Sequence, residues 1–146
     1  MKLDELVDWY AALTLENISR VSEFYHPEAH FQDPFNDVRG HDAIAAIFHH
    51  MFDHTEHPQF VIKNVDTYGE RAWVGWSFNF YLRGKALSIG GVTRMDFGDD
   101  GRVIDHRDYW DSAEIFVELP LLGRVVQYLK NRMSSPCKAT HTGSQA

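Results

Sequence analysis

The sequence has few of the features that mark nucleic-acid-binding or disulfide-bonded proteins. Its 14 Lys and Arg residues stand against 21 Asp and Glu, which gives a net charge of −7, and no strongly basic cluster occurs. Because nucleic-acid binders usually present a basic face, we expect no nucleic-acid partner. The single cysteine, Cys137, cannot form an internal disulfide, which is typical of a reducing compartment.

Long apolar runs and cofactor motifs are also missing. No segment approaches the ~20 apolar residues that a membrane-spanning helix needs, and the first residues contain no run typical of a signal peptide. We therefore expect a cytoplasmic protein with no membrane partner. The sequence has no glycine-rich phosphate loop, no Gly-x-Ser-x-Gly motif and no paired cysteines. These absences predict no cofactor and no covalent serine chemistry.

Four histidines between residues 49 and 57 raise the question of a metal site. His50, His54 and His57 share one helical face, which lies away from the apolar stripe of the same segment. No carboxylate-bearing motif of the zinc type accompanies them. We expect a solvated helix surface here and no metal.

The composition indicates one globular domain, since hydrophobic residues make up 44% of the chain and aromatic residues 14%. We assign this domain to residues 1–133 and a polar, flexible tail to residues 134–146. Apolar residues at helical spacing predict helices over residues 3–13 and 18–25, from near Asp42 to Pro58, and from Pro120 onward.

The middle of the chain changes to the alternation of β-strands. After a short strand at Ala29–Asp33, four long strands are predicted, with short turns between them, at Phe60–Tyr68, Ala72–Leu82, Ala86–Phe97 and Val103–Tyr109. Short connections favour antiparallel neighbours, so these four form a meander. Helices first and strands after predict an α+β fold, with helices packed on one face of a curved antiparallel sheet.

The alternation also predicts which side chains point inward. In the third long strand the inward face holds Ile89, Thr93 and Met95. In the last strand we assign the inward face to Ile104, His106, Asp108 and Trp110. A histidine and an aspartate would then lie in an aromatic interior, where Asp is rare unless it is paired or functional.

One acidic residue stands in an unusual setting, the pentapeptide Phe31-Gln32-Asp33-Pro34-Phe35. Asp33 is either a turn residue whose carboxylate accepts local backbone N–H groups, or a reactive acid in an apolar pocket. In the second case, apolar surroundings such as the two phenylalanines would adapt the carboxyl to work as a general base.

The element order and several local segments resemble the nuclear transport factor 2-like superfamily, which includes ketosteroid isomerases and SnoaL-type polyketide cyclases. The segments that carry the resemblance are Phe31–Phe35 with the following Arg39-Gly40, Trp9–Leu13, Gly101–Val103 and His106–Asp111. The resemblance implies a cone-shaped, cystatin-like fold. In it the N-terminal helices pack on the concave face of the sheet, and an extra C-terminal helix follows.

The resemblance also implies site residues. Asp33 falls on the general-base position of the isomerase, whereas Trp9 and Thr93 stand where that enzyme has a tyrosine and a protonated aspartate as oxyanion donors. The likeness to SnoaL-type cyclases implies acid–base roles for Asp108 and His106. The ligand-binding residues implied in this way are Trp9, Tyr10, Phe31, Phe35, Phe48, Thr93, Met95 and Trp110.

Two functions from different classes are compatible with this pattern. The first is an isomerase or cyclase that binds a small apolar or aromatic, carbonyl-containing ligand in the cone, with Asp33 as general base. The second is a non-catalytic module that binds a small molecule in the same cone. Trp73 and Tyr81, on the outward face of their strand, predict a homodimer that forms through the sheet.

Overall fold

The computed structural model describes residues 1–134. Its helices are α1 (Leu3–Ala11), a 3₁₀ helix (Leu15–Arg20), α2 (Val21–Phe24), α3 (His41–His54), α4 (Ala113–Phe116) and α5 (Leu122–Met133). Its strands are β1 (Tyr25–Gln32), β2 (Asp37–Arg39), β3 (Glu56–Tyr68), β4 (Arg71–Leu82), β5 (Lys85–Phe97) and β6 (Val103–Trp110). The predicted tail, including Cys137, lies outside the described residues except for Ser134.

The chain divides into two compact units, Met1–Asp111 and the residues from Ser112 onward. The second unit contains α4 and the predicted last helix, α5, whose final turn carries two basic residues that suit its dipole. The predicted single domain over residues 1–133 stays a prediction. No helix in the described part of the chain is long and apolar enough to cross a membrane, and the predicted cytoplasmic location also stays a prediction.

The strands form one curved six-stranded sheet in the order β2-β1-β6-β5-β4-β3. The predicted antiparallel meander of β3 to β6 is confirmed. The sheet is mixed, however, because β1 pairs parallel with β6 and antiparallel with β2. The sequence did not predict β2, since three residues are too few for a visible alternation. Gly40, with a φ of +87°, then turns the chain into α3.

Two strands begin several residues earlier than predicted. Strand β1 begins at Tyr25, which had been assigned to a helix, and β3 begins at Glu56, ahead of Pro58. Pro58 therefore lies inside a strand and does not end α3. It is tolerated because β3 is an edge strand, and because a bulge between Glu56 and Gln59 interrupts the ladder where proline has no N–H to donate.

The N-terminal helices pack on the concave face of the sheet. The helical part of the core includes Leu6, Trp9 and Tyr10 of α1 and Ile44 and Phe48 of α3. The sheet contributes the predicted inward faces of β4 and β5, with Val74, Trp76, Thr93 and Met95 buried. Each fully buried apolar side chain of this kind contributes about 1.5–3 kcal/mol.

The last strand, β6, contains a bulge, and because of it the predicted orientation of one side chain is wrong. Phe97 pairs with Val103 but Asp96 pairs with Asp105, so Ile104 is the extra residue. Val103 consequently points inward, while Ile104, which was predicted to point inward, is 42% exposed. Beyond the bulge the predicted alternation is recovered, and His106 is buried on the inner face.

Candidate functional site

An open recess of ≈ 240 Å³ lies where β1 ends and β6 continues. Gln32 pairs with Arg107, and from there β6 runs on to Trp110 without β1 beside it. The recess is lined by Gln32, Asp33, Pro34, Arg107, Asp108, Tyr109 and Trp110. The fold thus brings the two predicted acidic residues, Asp33 and Asp108, to one depression.

Asp33 forms the turn that the sequence allowed. Its Oδ1 accepts the backbone N–H groups of Phe35 and Asn36, each at 2.7 Å. The Asn36 side-chain amide donates to Oδ1 at 3.0 Å and to Oδ2 at 2.9 Å. Oδ1 is therefore occupied by the turn, while Oδ2 accepts a single bond from the Asn36 side chain. Asp33 is at once a turn residue and a lining residue of the recess.

Asp108 connects the recess to the interior of the protein. Its Oδ1 lies 2.8 Å from His106 Nε2 and accepts the Thr93 hydroxyl at 2.5 Å. The Thr93 oxygen in turn accepts the Trp76 indole N–H at 2.8 Å. The His106 side chain is 1% exposed and that of Asp108 17% exposed. Asp108 is thus the member of this group that solvent, or a ligand, can reach.

His106 has a second partner deeper in the core. The Tyr25 hydroxyl lies 2.8 Å from His106 Nδ1, and the Tyr10 hydroxyl lies 2.5 Å from that of Tyr25. Burial raises the pKa of both tyrosines, so both hydroxyls keep their protons. We refer to Tyr10, Tyr25, His106, Asp108, Thr93 and Trp76 as the buried polar chain. Phe31 stacks on the His106 ring, with centroids 4.2 Å apart.

The other predicted ligand-binding residues lie away from the recess or at its edge. Trp9 is buried and donates its indole N–H to the Asn17 carbonyl. Phe31, Phe48 and Met95 belong to the core. Phe35 is 55% exposed and contacts Trp110 edge-on, at 5.3 Å between centroids.

The interior of the cone holds a small cavity. Its volume is ≈ 20 Å³, which is room for about one water molecule. Tyr10, Trp76 and Thr93 border it, together with apolar side chains. This cavity is much smaller than the recess at the end of β1.

Sequence reasoning missed Tyr25, Trp76, Gln32 and Arg107 as parts of this region. Tyr25 was assigned to a helix, although the apolar alternation of Tyr25, Ala29 and Phe31 is a strand signal. Trp76 was assigned to the core for its apolar ring, and nothing in the sequence indicated a partner for its N–H.

A second cluster of charged side chains lies on the outer face of the sheet. His30 Nδ1 is 2.8 Å from Asp105 Oδ1, and His30 Nε2 is 2.7 Å from Asp37 Oδ1. The hydrogen bonds to Asp37 and Asp105 raise the pKa of His30 above its usual value. Partial burial opposes ionisation of Asp105, but bonds from His30 and Arg94 outweigh it and hold its pKa below the usual range.

The described residues contain no group of three or more His, Cys, Asp or Glu arranged to hold a metal ion. On α3, the His50 and His54 rings stack with centroids 3.9 Å apart. His54 Nδ1 contacts the His50 carbonyl at 2.9 Å.

Known proteins with this fold have been solved from several bacteria. A candidate SnoaL-like polyketide cyclase from Jannaschia sp. CCS1 is 16% identical, with a TM-score of 0.70 over 81% of this chain and 92% of its own. A candidate isomerase of the SnoaL-like family from Agrobacterium tumefaciens is 19% identical, with a TM-score of 0.63 over 75% and 97%. These identities show a shared fold only.

A third structure has a comparable similarity. It is a protein with a ketosteroid isomerase-like fold from Catenulispora acidiphila, solved in complex with trimethylamine, and is 14% identical, with a TM-score of 0.70 over 79% of this chain and 92% of its own. No curated protein sequence matches the chain. The SnoaL-like domain matches residues 6–106. The chain therefore belongs to the SnoaL-like family.

Proposed function

We propose that this SnoaL-like protein binds a small, apolar, carbonyl-containing compound in the recess and moves a proton on it, as an isomerase or a cyclase does. The observation that supports this function most directly is that Asp33 and Asp108 line the same recess. A carbonyl compound can lose a proton from the neighbouring carbon to a carboxylate base. A second carboxyl group beside it can give or take a proton at another atom of the same molecule.

Asp33 is the proposed general base. Its carboxylate takes the proton from the carbon next to the carbonyl, and the electron pair of that C–H bond passes to the carbonyl oxygen as an enolate. In an isomerase the proton then returns to a different carbon. In a cyclase the enolate carbon attacks a second carbonyl of the ligand, and that oxygen takes the proton. Neither route needs an oxidant or a reductant.

Asp108 and His106 complete the proposed acid–base set. The Asp108 side chain is partly accessible, and its Oδ1 is held by His106 and Thr93, so its orientation is defined. The predicted oxyanion donors Trp9 and Thr93 already have acceptors, since Trp9 donates to the Asn17 carbonyl and Thr93 to Asp108. Gln32 and Arg107 line the recess and offer an amide and a guanidinium in their place.

The test is exchange of carbon-bound protons for deuterium in D₂O, followed by NMR over a panel of small cyclic ketones and diketones. We expect the wild-type protein to accelerate exchange, and Asp33→Asn to reduce the acceleration by about 10²–10⁴-fold. Asp53→Asn, at an exposed position on α3, is the matched control and should behave as wild type. Binding without exchange would instead support the non-catalytic module. The absence of both binding and exchange would overturn the proposal.

We also propose that a second copy of the chain covers the outer face of the sheet. Trp73, Val92 and Tyr109 are exposed on neighbouring strands, and the rings of Trp73 and Tyr109 stack with centroids 6.3 Å apart. An exposed aromatic patch of this kind is typical of an interface. Light scattering at micromolar concentration should give the mass of a dimer, and Trp73→Lys should convert it to a monomer. A monomeric wild-type protein would contradict this arrangement.

A further inference from the structure

The hydrogen bonds of the buried polar chain have a defined donor and acceptor at each step, and the groups at its two ends determine which is which. At one end, the indole N–H of Trp76 can only donate, so the Thr93 oxygen accepts it and the Thr93 proton is directed to Asp108. An ionised carboxylate can only accept. The remaining contact of Asp108 Oδ1, to His106 Nε2, therefore needs its proton on the imidazole nitrogen.

The direction continues through the imidazole to the tyrosines. In a neutral histidine one ring nitrogen donates and the other accepts. With Nε2 as the donor, Nδ1 must accept the Tyr25 hydroxyl proton, and the Tyr25 oxygen is then free to accept the Tyr10 hydroxyl. Every contact of the chain now has one donor and one acceptor. No other arrangement of protons achieves this with an ionised Asp108 and a neutral His106.

The reversed arrangement is disfavoured by what surrounds Tyr10. If Nδ1 donated to Tyr25, both tyrosine hydroxyls would have to point in the opposite direction. The Tyr10 proton would then point away from the buried polar chain. Tyr10 borders the ≈ 20 Å³ interior cavity, whose other lining residues are mostly apolar. A donor directed there would lose its hydrogen bond to the protein and would have at most one water molecule as a partner. The surroundings of Tyr10, at the inner end of the buried polar chain, thus favour the Nε2–H form of His106.

We propose that Tyr25, oriented by Tyr10, is a positioning residue that donates to Nδ1 and so acts with Asp108 to hold His106 in the Nε2–H tautomer. The imidazole then donates to Asp108 Oδ1 and leaves Oδ2 for the ligand. This inference rests on the proposed function, in which Asp108 exchanges a proton with a bound carbonyl compound. A histidine free to change tautomer would place a lone pair against the carboxylate, and Asp108 would lose its fixed orientation.

The experiment is ¹⁵N NMR of the full chain, with the His106 ring nitrogens assigned and without any ligand. In the wild type we expect the proton on Nε2 and a bare, hydrogen-bonded Nδ1. In Tyr25→Phe, Nδ1 loses its donor, so we expect its ¹⁵N resonance to move to that of a bare nitrogen without a hydrogen bond, while Asp108 keeps the proton on Nε2. Tyr10→Phe should keep a hydrogen-bonded Nδ1, because the Tyr25 hydroxyl remains. Tyr68→Phe, at an exposed position, is the control for removing a hydroxyl.

Turnover gives a second readout. Tyr25→Phe should lower kcat about tenfold and leave KM unchanged, as expected for the loss of one hydrogen bond that acts through another residue. A wild-type spectrum with the proton on Nδ1 would overturn the inference, even if Tyr25→Phe does not fold. A folded Tyr25→Phe with an unchanged Nδ1 resonance would overturn it as well. The expected tautomers without any turnover would contradict the proposed function alone.

Discussion

Two histidines on opposite faces of one sheet make the same type of contact in different surroundings. His30 on β1 contacts Asp37 and Asp105 on the outer face, at 2.7 and 2.8 Å. His106 on β6 contacts Asp108 on the inner face, at 2.8 Å. The two sites differ in burial, since the His30 side chain is 23% exposed and that of His106 is 1% exposed.

The difference shows how the surroundings give one chemical pair two different properties. Outside, two carboxylates face one imidazole, so the protonated form is favoured and the attraction is subject to screening by salt. Inside, a hydroxyl and an aromatic ring complete the contacts of the imidazole. There the hydrogen-bond geometry matters more than net charge, because an unpaired polar group in the core is costly. The inner site is suited to orienting the Asp108 carboxylate, and the outer site to electrostatic attraction between His30 and the two carboxylates.

The largest expected effect concerns removal of each histidine. His106→Ala deletes a ring stacked on Phe31 and removes one hydrogen-bond partner each from Tyr25 and Asp108, so we expect the free energy of unfolding to fall by about 2–5 kcal/mol. His30→Ala removes partly exposed ion pairs and should cost about 1 kcal/mol or less. Urea denaturation of both variants at pH 7 measures the difference. Equal losses would show that burial does not separate the two sites.

The second prediction compares adjacent glycines on the two faces of β5. A Cβ added at Gly91 would lie 2.3 Å from the Trp76 ring, whereas one at Gly90 would meet no atom within 4 Å. Gly91→Ala should displace the Trp76 indole from Thr93 and lower the free energy of unfolding by about 1–3 kcal/mol. Gly90→Ala, the matched control, should stay within about 0.5 kcal/mol of wild type. Thermal denaturation and tryptophan fluorescence measure both effects.

Much of the fold was predictable because its long elements have strong local patterns. Strands β4 and β5 alternate over twelve and thirteen residues and end at glycine-containing turns, so their boundaries and buried faces agree with prediction. The exceptions have weak or no local signals. Strand β2 has three residues, and the bulge at Ile104 follows no residue pattern that distinguishes it from regular strand.

The candidate site was predictable in part, for a related reason. The inward orientation of His106 and Asp108 followed from alternation, and the turn at Asp33 from its Asp-Pro sequence. The contact between Tyr25 and His106 joins residues 81 positions apart, and it depends on the parallel pairing of β1 with β6. Parallel pairing across such a distance follows from packing of the whole sheet, which no local pattern encodes.

The smallest expected effect is the pH dependence that the outer site produces. Because the pKa of His30 is raised in the folded protein, its contribution to stability is complete below the unfolded value of about 6.5 and is lost as pH rises through the folded value. The lowered pKa of Asp105 acts in the opposite sense at acidic pH, where its contribution falls as pH decreases. Together, His30 and Asp105 should contribute most to the stability of the fold at a pH between the acidic and the neutral range.

The measurement is urea denaturation of wild type and His30→Gln between about pH 5.5 and 9. The difference in unfolding free energy should be largest near pH 6 and should shrink as pH rises, and 1 M salt should reduce it throughout. His49→Gln, an exposed histidine on α3, is the control and should show no such trend. A difference that grew with pH would mean that His30 stabilises the fold as a neutral imidazole that donates to one carboxylate, and the outer site would then resemble the inner one.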